Sequence, residues 1–372
     1  MTEDVINALS KFRWLFVIAG GTMFTYREKN ASTAQVATDL GVRFVMEGSV
    51  RQAGQRLRVS VQLNDTDTGN SIWSQRYDRE LDDIFVIQDE ITNAIAAAIA
   101  PEIERLERRR ADNAQPAEVD TWLVYQKGLS AADESLEGKL IEAIGYFDEV
   151  NRLDPKFAPA YAWGALVRMT MANVYRGNEL ADLSRVAKEK AEMAYKLDPA
   201  EPLALLAAAR IQTGLGNHEL ALAQAWKAVE ANTNSAHARR RLGHVLLTAG
   251  QHEAALEQFD KALSVSLLDP TETMIKGLKA FSHFALGEFD KGLAAVRSVN
   301  SPKRMNILVR CVEPLNLFKL GHPEEARSIM AGVRADFPQI SIASIYAGIK
   351  HHAENIRDPV IATLRELGVP EE

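Results

Sequence analysis

The sequence predicts two structural classes in one chain: an α+β domain over residues 1–110, followed by an all-α solenoid, a superhelix of helical hairpins, over residues 121–338. Small and aromatic residues recur every thirty-four positions in the second part, which indicates tandem hairpins. Polar and apolar residues alternate over residues 56–63, which is typical of a half-buried strand. Isoleucines spaced along residues 84–99 indicate a helix with one buried face.

The first 110 residues are expected to run α-β-α-β-β-β-α. Apolar runs, alternation and turn residues set the boundaries of these elements. The expected elements are, in order, a short helix capped by Thr2, a fully buried strand over residues 14–19, a helix over residues 33–40 that ends at Gly41, three antiparallel strands over residues 42–51, 56–63 and 71–77, and a long helix from about Leu81 that is kinked at Pro101.

Residues 236–269 contain the clearest copy of the repeat. Leu242 and Phe259 supply large apolar groups at helical spacing, whereas Gly243 is small where two antiparallel helices must approach closely. Gly250 stands where the first helix should stop. The repeat continues upstream. Thirty-four residues before Gly250, Ala255, Phe259 and Ala262 stand Gly216, Ala221, Ala225 and Ala228.

This pattern resembles the tetratricopeptide (TPR) repeat. One copy cannot bury its own apolar face, so neighbouring copies are required. We expect about six repeats from Thr121 to Pro338, the last two being the most degraded. Residues 111–120 are expected to form a linker, and residues 339–372 to form helices that cap the end of the solenoid.

A second resemblance lies in the run GVRFVMEGSVRQAGQRLRVSVQLNDTDTGNSIWSQRYDRELDDIFVIQDEI, residues 41–91. It looks like the TolB-like amino-terminal domain that precedes TPR repeats in many bacterial proteins, and residues 3–19 are similar to the same domain. In that family the two parts usually follow a class III adenylate or guanylate cyclase domain, or a winged-helix DNA-binding domain as in CadC-like regulators. The resemblance implies an architecture more than an activity.

One feature of the TolB-like pattern is missing. That domain normally opens with a buried strand and a short loop before the helix that begins here at about Asp4, and neither is present. Without that strand, a sheet edge beside residues 14–19 has no partner. We therefore expect a truncated or split gene product that lacks its effector domain; the alternative is that an upstream protein supplies the strand.

Composition narrows the function classes. A net charge of −7 argues against nucleic acid as the main partner. The single cysteine, Cys311, excludes an internal disulfide framework and a cysteine-built zinc site. The longest apolar run is broken by Gly20 and Gly21 and is too short to cross a bilayer, and no secretory signal is visible. The chain is expected to be soluble and cytoplasmic, although a full-length family member would be free to carry a membrane anchor.

No catalytic residue, cofactor or metal is assigned from the sequence. The two metal-binding aspartates of a cyclase core, a phosphate-binding glycine loop and a Gly-x-Ser-x-Gly elbow are all lacking. The aspartates near residues 65–83 fit turns and helix starts better than a cation site. His237 and His244 share a helix face, but unpaired helical histidines are more often packing residues than metal ligands.

The candidate binding surface is the inner face of the solenoid, which is lined by the first helix of each hairpin. A partly basic groove with aromatic residues suits an acidic or extended peptide. Solvated arginines without a partner are the alternative, since residues 239–241 are consecutive arginines that point around their helix. The repeat register places on or near this face Tyr125, Tyr161, Arg168, Arg210, Arg240 and His244.

Two function classes follow. The first is a non-catalytic regulatory module whose groove docks a protein or peptide partner in bacterial signalling. The second is the regulatory carboxyl-terminal part of a class III cyclase whose catalytic domain is absent from this chain. A third class is the sensor part of a CadC-like transcriptional regulator. DNA binding would require a winged helix with a basic recognition helix, which this sequence lacks.

Overall fold

A computed structural model describes the chain except for residues 13, 20, 24–25, 27–31, 81–83, 114–119, 135, 175–179, 234, 266–271 and 300–306. The chain divides into two compact units, Met1–Glu107 and Arg108–Glu372. Most described residues are helical, and a small β-sheet lies in the first unit. The coarse fold class predicted from the sequence, a minor α+β part followed by a helical part, is therefore confirmed.

The first unit contains an antiparallel meander among its described residues. Strands β1 (Phe44–Ala53), β2 (Arg56–Asp65) and β3 (Asn70–Glu80) pair in the order β1-β2-β3. Turns at residues 54–55 and 66–69 connect them. Along β2, buried apolar residues alternate with exposed polar ones, as a sheet with one covered face requires.

Three described helices complete this unit: α1 (Thr2–Ser10), α2 (Thr33–Leu40) and α3, which spans Ile84–Asn113 and contains Pro101. Among the described residues, one segment is long enough and apolar enough to cross a membrane, judged by length and composition alone. It is Ile84–Ala111 of α3. Its isoleucines at 87, 91, 95 and 99 are buried in one cluster with the apolar side of β2. This packing is that of a core helix.

The predicted buried strand over residues 14–19 is wrong. In the described part of the chain these residues join no ladder, and Phe16 is 89% exposed. Trp14, Leu15 and Val17 instead pack, partly buried, against the apolar cluster of the unit. An apolar run supplies side chains for a core, but a strand also needs a neighbouring backbone to accept and donate its hydrogen bonds.

The second unit is a series of helical hairpins. The described residues form six of them, each made of a first and a second helix. The pairs are α4 (Thr121–Glu134) with α5 (Glu137–Leu153), α6 (Ala158–Val174) with α7 (Leu180–Leu197), α8 (Pro202–Gly214) with α9 (His218–Ala231), α10 (Ala236–Thr248) with α11 (His252–Val265), α12 (Glu272–Ala285) with α13 (Phe289–Arg297), and α14–α15 (Ile307–Arg310 and Val312–Lys319) with α16 (Pro323–Asp336).

Glycine shapes these hairpins at two kinds of position. Gly216, Gly250, Gly287 and Gly321 lie between the two helices of hairpins three to six, and each has φ between 75° and 85°, a conformation that side chains with a Cβ rarely adopt. Within the helices, Gly243 of α10 lies against Phe259 of α11, so that an ideal Cβ would stand 2.6 Å from Phe259 Cε1.

We expect Gly243→Ala to lower the free energy of unfolding by about 1–3 kcal/mol, the usual range for overpacking. Phe259 is completely buried, and three of its ring atoms lie within 3.1 Å of an ideal Cβ at Gly243. Urea unfolding followed by circular dichroism measures the change. Gly145→Ala in α5 is the control, because nothing lies within 4 Å of its ideal Cβ and alanine favours a helix by up to about 1 kcal/mol. Equal effects of the two substitutions would contradict the close helix contact at Gly243.

Two further helices follow the last hairpin: α17 (Ile342–Ile349) and α18 (Glu354–Glu366). Ser341 begins α17 with a capping box, in which its side chain and that of Ser344 each accept a backbone N–H of the other residue. The end of the chain returns to this point, since Ile342 N donates to Pro370 O at 2.7 Å. We call residues 340–372 the tail.

Candidate functional site

The first helices of successive hairpins contact each other and form one continuous surface. Helix α6 contacts α8, α8 contacts α10, α10 contacts α12, and α12 contacts α15. We call this surface, made of α6, α8, α10, α12 and α15, the inner face. It is the surface that the repeat register singles out for partner binding.

The tail lies across the inner face. Helix α17 contacts α6, and α18 contacts α12 and α15. The residues between the two tail helices reach the middle hairpins through polar contacts. His351 O lies 2.8 Å from His218 Nε2, and Ala353 N donates to Thr248 O at 2.9 Å. The tail therefore contacts hairpins two to six.

Aliphatic side chains hold the tail in place. They recur every three or four residues on both tail helices, as on an amphipathic helix with one buried face. They belong to the same buried cluster as Leu242, Ile275 and Leu315 of the first helices. The tail residues concerned are Ile342, Ile345, Ile349, Ile356, Val360 and Leu364, none of which is more than 5% exposed.

The tail extends beyond what a cap on the last hairpin needs. Its contact with α15, and the hydrogen bond from Arg334 Nη1 of α16 to Gly368 O, are those of a cap. Its contacts with α6, α9 and α10 are further ones, made by the region of residues 342–353. The sequence signal for this arrangement was the spacing of Ile342, Ile345 and Ile349, which marks a buried face without showing what covers it.

Three of the residues that the sequence placed on or near the inner face are engaged in packing. Tyr125 is only 4% exposed and packs its ring edge-on against Phe157, with centroids 5.0 Å apart. Arg168 is 7% exposed, and its Nη2 lies 2.6 Å from Asp148 Oδ2. Tyr161 is half-buried beneath the Lys190 ammonium group. In this conformation Tyr125 and Arg168 are therefore not accessible to a partner.

Of the other three predicted residues, Arg210 and His244 lie beside the tail, and Arg240 lies on the same helix as His244. Arg240 is buried in α10, with Nη2 3.3 Å from His237 Nδ1. The ring centroid of His244 lies 6.5 Å from that of His352 in the tail. Arg210 of α8 interacts electrostatically with both histidines of that pair. The structure thus brings Arg210, Arg240 and His244 together, and it adds His352 from a distant part of the sequence.

Burial and like charge set the protonation of this region. Burial lowers the pKa of Arg210 to about 10 and that of His352 to about 3. The pKa of His244 is held well below its usual value by burial first and then by Arg210 and His352. The pKa of Arg241 is also lowered, by burial first and then by Arg240 and Arg210. Near neutral pH the two histidines are therefore neutral hydrogen-bonding groups beside charged guanidinium groups.

The other candidate reactive groups are paired or buried. Asp65 is 2% exposed and accepts hydrogen bonds from the Arg43 guanidinium, which also contacts Glu107 at 2.8 Å. Burial raises the pKa of the Cys311 thiol to about 12, so that it is a poor nucleophile. No group of three or more histidine, cysteine, aspartate or glutamate residues arranged to hold a metal ion is present in the described part of the chain.

Known structures resemble the chain only weakly. The crystal structure of the APC/C hetero-tetramer Cut9–Hcn1 aligns with a TM-score of 0.47 and 18% identity, over 70% of this chain and 48% of that chain. PilF of Pseudomonas aeruginosa aligns with a TM-score of 0.39 and 15% identity, over 64% of this chain and 96% of that chain. These likenesses are too weak to support an argument about function.

A curated relative is more similar in sequence. No protein-family model matches the chain. The chain is 33% identical over 227 residues to putative adenylate cyclase 3 of Rhizobium meliloti (strain 1021). The match covers 61% of this chain but only 36% of the relative, so the chain is similar to a part, about a third, of a protein named as an adenylate cyclase.

Proposed function

We propose that the chain is a non-catalytic protein-interaction module whose inner face docks an amphipathic helix of a protein partner. The observation that carries this proposal is the tail, because the inner face already holds two amphipathic helices of the same chain. Amphipathic helices that insert an apolar stripe into a groove are a recurrent mode of peptide recognition. The aliphatic stripe of the tail belongs to one buried apolar cluster with side chains of the first helices, among them Leu242, Ile275 and Leu315.

The tail and a partner helix would compete for the same surface. A partner binds only when it replaces the contacts that the tail makes, so that its apparent affinity is its intrinsic affinity multiplied by the fraction of molecules whose tail is undocked. The predicted partner carries aliphatic residues at i, i+3 and i+7, as the tail does at Ile342, Ile345 and Ile349. Acidic residues next to this stripe would face Arg210 and Arg241.

Partner capture tests this proposal. Wild-type chain, a tail variant Ile345→Glu and a surface variant Ala343→Glu are each used as bait in a lysate of the source cell, and bound proteins are identified after chemical cross-linking. We expect one partner to be enriched on Ile345→Glu relative to the other two baits, with cross-links to α8, α10 or α12. Equal recovery on all three baits, or cross-links confined to the outer helices, would count against an inner-face site.

A second proposed role is supported by the curated relative. The match to part of putative adenylate cyclase 3 is consistent with a regulatory region of an adenylate cyclase whose catalytic region lies outside this chain. The first unit would then be the TolB-like domain suggested by residues 41–91. The two roles are compatible, since the docked partner would be the cyclase catalytic region or a protein that controls it.

Cyclic AMP formation separates these roles. We expect the purified chain to make no cyclic AMP from ATP with Mg²⁺ or Mn²⁺. Addition of the unmatched part of the Rhizobium relative, produced separately, should give a cyclase activity that depends on the chain if the regulatory role is correct. Turnover by the chain alone would overturn the non-catalytic proposal, and a cyclase activity that is indifferent to the chain would overturn only the cyclase role.

A further inference from the structure

Two arginines on the first helices of the third and fourth hairpins have no described anionic partner. Arg241 of α10 points its Nε into the protein interior, where this atom has no hydrogen-bond partner among the described residues. Arg210 of α8 is shielded enough for burial alone to lower its pKa to about 10. In contrast, Arg239 on the same helix donates to Thr233 O and Gln258 Oε1. Arg239 therefore has oxygen acceptors that the Arg241 Nε lacks.

The groups around these arginines are cations and neutral rings. The pKa of Arg241 is lowered by burial and then by repulsion from Arg240 and Arg210. The electrostatic neighbours of His244 are Arg210, His352, Arg241 and Arg240, and none of these is an acid. His352 closes the group from the tail, with its ring centroid 6.5 Å from that of His244. The enclosure thus concentrates positive charge.

A half-buried guanidinium group without a counter-charge is unfavourable. Removing a charge from water costs several kcal/mol, and only a close opposite charge with hydrogen bonds offsets that cost. A guanidinium fork donates two parallel hydrogen bonds to an oxyanion, and a neutral imidazole donates one. Two guanidinium groups and two imidazoles therefore match a dianion with several acceptor oxygens better than a carboxylate with one charge.

We propose that Arg210, Arg241, His244 and His352, all half-buried, form a binding site for a phosphate group between the third and fourth hairpins and the tail. Phosphate binding does not require the proposed protein partner. The two ligands oppose each other, because the partner displaces the tail, which carries His352. Because His352 belongs to the tail, binding of the phosphate group and docking of the tail favour each other, as linkage requires. The phosphate is either the free ion or a group on a small phosphate monoester.

The test uses the full chain in phosphate-free buffer at constant ionic strength. Inorganic phosphate, glycerol 3-phosphate and sodium chloride are titrated in parallel, and calorimetry measures Kd while thermal unfolding measures the melting temperature. We expect a rise of about 3 °C at ten times Kd with phosphate or its monoester, and no such rise with chloride. Tighter binding of the monoester identifies an organic phosphate as the ligand, and tighter binding of the free ion identifies phosphate itself.

Variants locate the site. Arg210→Gln and Arg241→Gln should each raise Kd at least tenfold and abolish the thermal shift, whereas Arg239→Gln should keep both. His352→Ala should weaken binding less than either arginine variant does. The arginine variants should also melt no lower than wild type without phosphate, because they remove an uncompensated charge; this separates lost binding from lost folding. A thermal shift that survives in Arg241→Gln, or the absence of any shift in wild type, would overturn the site.

Discussion

Replacement of Ile345 by glutamate is expected to release the tail from the inner face. Ile345 is 3% exposed and lies among the apolar side chains that join the tail to the first helices. The substitution loses the burial of an isoleucine side chain, about 1.5–3 kcal/mol, and places a carboxylate in an apolar cluster. Amide exchange at Ala353 and Ile342, whose N–H groups bond to Thr248 O and Pro370 O, should then accelerate about a hundredfold or more.

Ala343→Glu is the matched control for this prediction. It places the same charge on the same helix, but at an exposed position two residues away. We expect its tail amides to exchange nearly as slowly as those of the wild type, and both variants to keep the circular dichroism of the repeat helices. If Ile345→Glu left the exchange of the tail unchanged, or if the two variants behaved alike, the docked position of the tail would be wrong.

Arg43→Gln should destabilise the first unit by about 3 kcal/mol, the lower end of the range for removing one partner of a buried ion pair. Arg43 contacts both Asp65 and Glu107 at 2.8 Å, and its loss would leave Asp65 charged at 2% exposure. Hydrogen exchange of the β2 amides reports on this unit specifically. Arg58→Gln is the control, because Arg58 forms an ion pair with Asp78 that is open to solvent, and little change is expected there.

The stability that the Arg43–Asp65 pair contributes should depend on pH. The hydrogen bonds from Arg43 are the largest cause that holds the pKa of Asp65 below its usual value. A carboxylate with a lowered pKa in the folded state contributes stability above its unfolded pKa, about 4, and this contribution is lost as pH falls through the folded pKa. The difference in stability between wild type and Arg43→Gln should therefore shrink as pH falls below about 4. A constant difference from pH 7 to pH 3 would contradict a charged pair.

The repeats were predictable because their contacts are local. Gly243 faces Phe259 within one hairpin, so the small residue is required by a contact only sixteen positions away. Corresponding positions recur every thirty-four residues along the chain. Turn glycines such as Gly250 could also be predicted, because a positive φ restricts the residue type. In contrast, the strand expected over residues 14–19 depended on a distant partner, and its apolar run alone did not determine pairing.

The docking site of the tail could not be predicted from its periodicity. The spacing of Ile342, Ile345 and Ile349 shows that one side of α17 is buried, but any apolar surface of the right shape satisfies it. The same holds for the cationic group, since Arg210 and His352 are far apart in sequence and meet only when the tail crosses the inner face. The sequence alone therefore does not predict that these two side chains lie close together.

The most direct test of an inner face that binds amphipathic helices is a titration with a labelled peptide of residues 339–372. Fluorescence anisotropy would measure its binding to full-length Ile345→Glu and to wild type, with an Ile345→Glu peptide as the control ligand. We expect at least tenfold tighter binding to the variant, whose own tail is released, and little binding of the control peptide. Equal affinity for both proteins, or no binding to a variant whose tail amides exchange freely, would contradict this expectation.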